Sequence, residues 1–216
     1  MVHERKRRIL VFDFDGTVAL GDGPISAYAE AIASEQRQVS VAQLLTVVDG
    51  ALDGYDTVAR NARAAGIPQE RLDAAYLRSR EELGGTTAPI TAPEGLAELL
   101  DQAAGYARRV LMTNAPDIHL ADALAGLGLA NHFDEIVTSA RKPAGLRTWL
   151  RNQPADAEIL AIGDIWENDL APADELGHAT VLVGTCIPHG VHPTLTAARL
   201  PDLFPRIAAW TTGGSL

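Results

Sequence analysis

The sequence predicts an α/β fold, a Rossmann-like doubly wound parallel sheet with an inserted all-helical segment, on three observations. After Pro89, short apolar runs alternate with helical stripes, the pattern of strands joined by crossover helices. Residues 24–88, by contrast, carry helical stripes and no convincing strand. Polar residues able to bind ions or phosphate stand where strands give way to loops or helices, the place where open parallel sheets bind ligands.

The elements follow in chain order. Ile9-Leu10-Val11-Phe12 reads as a first buried strand. In the insertion, Ala27, Ala31 and Ile32 mark one helix, and Val41, Leu44, Leu45 and Val48 a second. Val58, Ala62 and Ala65 mark a third ending near Gly66, and Leu72, Ala75, Tyr76 and Leu83 a fourth stopped by Gly84-Gly85. Helices are then expected near 93–103, 117–127, 143–152 and 167–176, with strands at 108–112, 159–162 and 180–183 and a final helix beyond. The expected domains are a core of 1–20 and 89–216 and an insertion of 21–88. Gly21, Gly23 and Pro24 on one side and residues 84–89 on the other form the hinges. The tail 211–216 is expected to fray.

Composition narrows the function. At 216 residues the chain can bury one sizeable core and a smaller lobe. A net charge of −10 argues against nucleic acid, whose backbone needs clustered cations. The basic run from His3 to Arg8 reads as a solvated lead-in to the first strand. No segment reaches the roughly 20 apolar residues of a membrane span, and the single Cys186 forms no internal disulfide. A soluble, cytoplasmic enzyme without a membrane partner is expected.

The chemistry concentrates in four segments. Asp13-Phe14-Asp15-Gly16-Thr17 sets two carboxylates two residues apart after a strand. In an extended segment they point the same way, attract a hard divalent cation and repel each other without a positive charge between them. Thr113-Asn114 ends the second apolar run, Lys142-Pro143 opens a helix, and Gly163-Asp164 ends a strand ahead of Asn168-Asp169. Convergence of the four would build one site for a metal and a phosphate.

In these segments and their order the chain resembles the haloacid dehalogenase-like superfamily, mostly magnesium-dependent phosphatases and phosphomutases. The resemblance implies that Asp13 is the nucleophile and Asp15 the general acid/base. It implies Thr113, Asn114 and Lys142 on the phosphoryl group, and Mg²⁺ on the Asp13 and Asp164 side chains and the Asp15 carbonyl. Asn168 and Asp169 would support the site, Asp169 holding Lys142. An acid at Asp15 points to a phosphate ester, because dehalogenase members lack one there. The phosphonate-cleaving branch needs a cap lysine, whereas Lys6 and Lys142 are the only lysines here. The insertion resembles the family's helical cap, which suits a small phosphorylated metabolite. Two alternatives stay open: a phosphomutase of the β-phosphoglucomutase type and a non-catalytic phosphate binder. Substrate and oligomeric state are left open too.

Other features read as structural. Within residues 49–55, Asp53 is taken as a helix N-cap and Tyr55 as a packing residue in preference to leaving-group contacts. Arg60 and Arg63 suit a grip on a second anionic group and a solvated helix face equally well. Cys186, His189 and His192 have near-zinc spacing but fall in a Pro- and Gly-rich loop.

Overall fold

A computed structural model of the chain describes residues 8–185 and 187–216. The basic run ahead of Arg8 and the Cys186 thiol lie outside the described residues. The strands are β1 (Arg8–Phe12), β2 (Ala107–Met112), β3 (Glu135–Val137), β4 (Glu158–Gly163), β5 (Ala179–Val183) and β6 (Leu195–Ala197). They form one parallel sheet in the order β3-β2-β1-β4-β5-β6. From β1 the chain steps outward to β3, then restarts at β4 on the other side of β1. That reversal is the switch point at which doubly wound sheets open a crevice.

Register levels the strand ends. Phe12 pairs with Leu111 and Ile162, Met112 with Val137, and Gly163 with Leu182. Asp13, Thr113 and Asp164 therefore leave neighbouring strands at one edge of the sheet. Alternate residues of the inner strands face opposite layers. Ile9, Val11, Val110 and Met112 share a core with Leu146 and Leu150 of α7 (Ala144–Arg151) and with Trp166, Leu170 and Ala173. Each such Leu or Val, fully buried, stabilises the fold by roughly 1.5–3 kcal/mol. α5 (Leu96–Ala103) packs against β2 and α9 (Phe204–Thr211). The two arginines that open β2 are paired: Arg109 grips Asp134 at 2.9 and 3.0 Å, and Arg108 binds Glu135.

The described chain divides into two compact units: one holds the residues up to Leu20, Ala92–Asp117 and Gly128–Leu216, the other Gly21–Thr91 and Ile118–Leu127. The second is all helical: α1 (Gly23–Glu35), α2 (Val41–Leu44), α3 (Gly54–Ala64), α4 (Gln69–Glu81) and α6 (Leu120–Gly126). Its core includes Ile32, Leu44, Val58, Ala62 and Leu72, with a cluster of Tyr28, Tyr55 and Tyr76 rings whose centroids lie 5.7–6.1 Å apart. Asp53 caps α3, its carboxylate accepting the Asp56 N–H at 2.7 Å. Arg60 pairs with Asp56 at 2.8 Å and Arg63 bonds Gln69. Among the described residues no helix is long and apolar enough to cross a membrane.

Several elements differ from the sequence expectation. The second insertion helix is a single turn, because only Leu44 of its stripe is buried and the Asn61 amide holds the Leu44 and Thr46 carbonyls at 2.9 and 2.7 Å. β3 and β6 carry no apolar run; they are three-residue edge strands, and β6 lies in a stretch read as loop. His189 and His192 stay in the loop before it. The helix expected at 167–176 begins as a π-helical turn, Trp166–Leu170, before α8 (Ala171–Asp174). Thr211, assigned to the fraying tail, is buried in α9 with its hydroxyl on Ala208 O at 2.8 Å.

Candidate active site

Asp13 sits at the switch point, its N–H bonded to Ile162 O of β4 at 2.9 Å. Extended backbone ends at Phe12. Beyond it the N–H groups of Val18 and Ala19 both reach Phe14 O, at 2.9 and 2.8 Å. Asp13 and Asp15 therefore stand in a turn past the strand and not in one extended segment. Gly16 makes it possible: φ is +86°, and a Cβ there would lie 2.3 Å from Asp164 Oδ2. Thr17, buried beneath, donates its hydroxyl to Asp164 Oδ1 at 3.4 Å.

Lys142 arrives on the loop after β3. Its ammonium lies 2.5 Å from Asp13 Oδ1 and 2.6 Å from Asp169 Oδ1, with all three side chains buried. The loop is bent by Ser139 and Arg141, whose φ values of 49° and 54° few non-glycine residues adopt. It is tied down by Ser139 N to Ala115 O at 2.8 Å and Ala140 N to Thr113 O at 3.0 Å, and the Lys142–Pro143 peptide is cis. Gly145 closes it, since a Cβ there would stand 1.7 Å from Ala140 O. Gly145→Ala is therefore expected to cost about 3 kcal/mol by overpacking, read in a thermal melt as a drop of roughly 6–12 °C.

Asp169 is set by the π-helical turn, a feature frequent at functional sites. Its Oδ2 accepts the Ile165 N–H at 3.0 Å while its own N–H returns to Ile165 O at 2.9 Å. Gly163 leaves room for it, a Cβ there falling 2.4 Å from Asp169 Cβ. Asp13, Asp164 and Asp169 each bring a carboxylate oxygen within 4.8 Å of the others.

The electrostatics of this group follow from burial. Desolvation and the charges of Asp169 and Asp164 hold the Asp13 carboxyl well above its ordinary range, with Lys142 pulling the other way. Burial alone would lower the Lys142 ammonium, but the Asp13 and Asp169 carboxylates raise it above the usual lysine value. Three carboxylates against one ammonium leave a deficit of positive charge. An all-oxygen donor set with that deficit fits a hard divalent cation.

The other expected residues lie around this group. Thr113 follows β2, and its hydroxyl oxygen accepts the Ala115 N–H at 3.0 Å. The Asn114 carboxamide is engaged by the Lys142 main chain: Oδ1 accepts its N–H at 2.6 Å and Nδ2 donates to its carbonyl at 3.3 Å. The Asp15 carboxylate is not one of the clustered three, and Asn168 is half-buried in the π-helical turn. Sequence reasoning missed the Thr17 contact and the close glycine packing.

A family model of haloacid dehalogenase-like hydrolases matches residues 8–177. The chain belongs to this family. Among the haloacid dehalogenase-like proteins it resembles is a phosphoglycolate phosphatase of Pectobacterium atrosepticum, 27% identical over 93% of this chain and 92% of that protein. A Clostridium difficile protein described as a phosphatase superposes with a TM-score of 0.68 at 16% identity, over 94% of this chain and all (100%) of the other. The Bacillus subtilis protein YfnB, bound to magnesium, gives 0.62 at 18% identity over 94% and 99%. At such identities the two structures speak for the haloacid dehalogenase-like fold alone.

Proposed function

We propose that the chain is a magnesium-dependent phosphatase that hydrolyses a small phosphorylated metabolite, phosphoglycolate- or sugar-phosphate-like, through an aspartyl-phosphate on Asp13. The observation that carries this reading is the buried Asp13 carboxylate at the switch point, against the Lys142 ammonium and beside Asp164 and Asp169. Nothing about such a cluster improves packing, and burying it is costly. Its use is to let one anionic group approach another.

In the proposed mechanism an Asp13 oxygen attacks phosphorus and the ester P–O bond breaks. Asp15 gives its proton to the departing alkoxide, then takes one from the water that attacks the aspartyl-phosphate. Hydrolysis of that acyl phosphate returns Asp13 and releases orthophosphate. The Thr113 hydroxyl, its oxygen already bound by Ala115 N–H, turns its proton to a phosphoryl oxygen. Lys142 neutralises charge that spreads over the phosphoryl group in the transition state. Magnesium, held by the Asp13 and Asp164 carboxylates and the Asp15 carbonyl, would add Lewis-acid stabilisation of the same charge.

A cleft of about 420 Å³ lies beside Gly16 and Asp164, lined also by Leu20, Pro93, Thr185 and Arg199 but by neither Asp13 nor Lys142; a small substrate is supported by the insertion's likeness to the family's helical cap. The likeness to a phosphoglycolate phosphatase points the same way. Residues 21–88 would act as the helical cap that controls water. The test is release of orthophosphate from a panel of phosphoglycolate, hexose phosphates, nucleotides and p-nitrophenyl phosphate. EDTA is expected to silence the reaction and added Mg²⁺ to restore it; turnover that survives exhaustive chelation removes the metal from the mechanism. An isomeric sugar phosphate formed without orthophosphate would make the enzyme a mutase.

A further inference from the structure

We infer that Asn114 is a positioning residue whose carboxamide grips the Lys142 peptide and fixes where the ammonium stands; its kinetic consequence rests on the phosphatase reading. Asn114 follows the end of β2 and reaches across to both polar groups of one residue, the Lys142 N–H at 2.6 Å and the Lys142 carbonyl at 3.3 Å. A carboxamide offers one acceptor and one donor in a single plane, which that pair of contacts requires. Aspartate could accept but not donate, and an aliphatic side chain could do neither.

The loop needs such a grip. Ser139 and Arg141 hold left-handed backbone at φ 49° and 54°, a conformation that persists only when its surroundings enforce it. Ala115 O and Thr113 O take the N–H groups of Ser139 and Ala140, and Asn114 takes Lys142. Three consecutive residues past β2 thus form a template for the lysine loop. Pro143, next in sequence, brings no N–H that could anchor Lys142 from the helix side. The ammonium stands at the end of a four-carbon stem, so a shift of its Cα moves it off Asp13 and Asp169, 2.5 and 2.6 Å away. The KM readout below separates this role from the expected substrate contact of the Asn114 side chain.

The experiment compares wild type, Asn114→Ala, Asn114→Asp, Lys142→Ala and the Asn114→Ala/Lys142→Ala double variant. Orthophosphate release from p-nitrophenyl phosphate with Mg²⁺ and amide hydrogen exchange at Lys142 are the readouts. Asn114→Ala is expected to lower kcat about 10- to 100-fold through misplacement of the ammonium, with KM within about twofold. Its Lys142 amide should exchange at least about tenfold faster. Asn114→Asp, which keeps the acceptor and loses the donor, should fall between wild type and Asn114→Ala in both readouts. The double variant should turn over no more slowly than Lys142→Ala, because Asn114 then has no ammonium to place. A raised KM at unchanged kcat would make Asn114 a substrate ligand, and multiplicative loss in the double variant an independent contributor; either overturns the proposal. So does unchanged Lys142 exchange in Asn114→Ala. If wild type releases no phosphate from any ester, the phosphatase reading fails by itself, and the exchange measurement still decides the grip.

Discussion

Replacing Asp13 by asparagine is expected to abolish turnover and leave the molecule folded, with orthophosphate release falling about 10⁴-fold or more. The amide is nearly isosteric, but its oxygen carries no charge with which to displace an alkoxide from phosphorus. Stability should survive because Lys142 keeps the Asp169 carboxylate at 2.6 Å. The substitution also removes one of three clustered carboxylates whose mutual repulsion, with burial, holds Asp13 above its ordinary range. Without magnesium, the melting temperature should match wild type or exceed it. With magnesium, the stabilisation that ligand binding gives the folded state should shrink, since one oxygen donor is gone. Acid-quenched wild type incubated with labelled substrate should retain covalent phosphate, and the variant none. More than a tenth of wild-type activity in the variant would place the nucleophile elsewhere.

How much of this was legible follows from what makes a residue's environment local. β1, β2, β4 and β5 stood out because each is largely buried, so their apolar runs, such as Ile9-Leu10-Val11-Phe12 and Ile159-Leu160-Ala161-Ile162, are continuous. β3 and β6 escaped because edge strands of three residues bury too little to leave a pattern; Ile136 is even exposed. The stripe at residues 41–48 suggested a longer helix, yet the Asn61 side chain, from another helix, takes the Leu44 and Thr46 carbonyls. Such a contact is invisible to periodicity.

The site was legible to the same degree. The residues expected to carry chemistry, Asp13, Thr113, Lys142 and Asp164, stood out by residue type at the ends of apolar runs. Asp169 was expected to hold Lys142, and the two are 2.6 Å apart. Its place within reach of both Asp13 and Asp164 depends on a π-helical turn that leaves no mark in the sequence. Asn114 was placed on the phosphoryl group only by the family resemblance, which says nothing of the loop opposite it. Only the loop's fold turns its side chain to the Lys142 main chain.

Lys142→Ala is expected to damage stability and catalysis together, unlike Asp13→Asn. Removing one partner of a buried ion pair leaves the other charge uncompensated and costs about 3–5 kcal/mol, a fall of roughly 6–20 °C in melting temperature at this chain length. Here two carboxylates, Asp13 and Asp169, lose their ammonium at once. Turnover should fall about 10²- to 10³-fold, as when one donor to transition-state charge is removed. The stability loss has a pH signature. Asp13 already binds its proton more tightly in the folded state than the ordinary carboxyl value of 3.8, and losing Lys142 tightens it further. Between the unfolded and folded values the folded state holds more protons, so stability falls as pH rises through that window. The variant's deficit should therefore be largest at neutral pH and shrink on acidification toward the ordinary carboxyl range. Magnesium at neutral pH should restore part of it by supplying the missing positive charge. Chemical denaturation of wild type and variant across pH, with magnesium and with EDTA, checks the sequence of effects. A deficit independent of both pH and magnesium would mean that Lys142 matters for its packed stem and not for its charge.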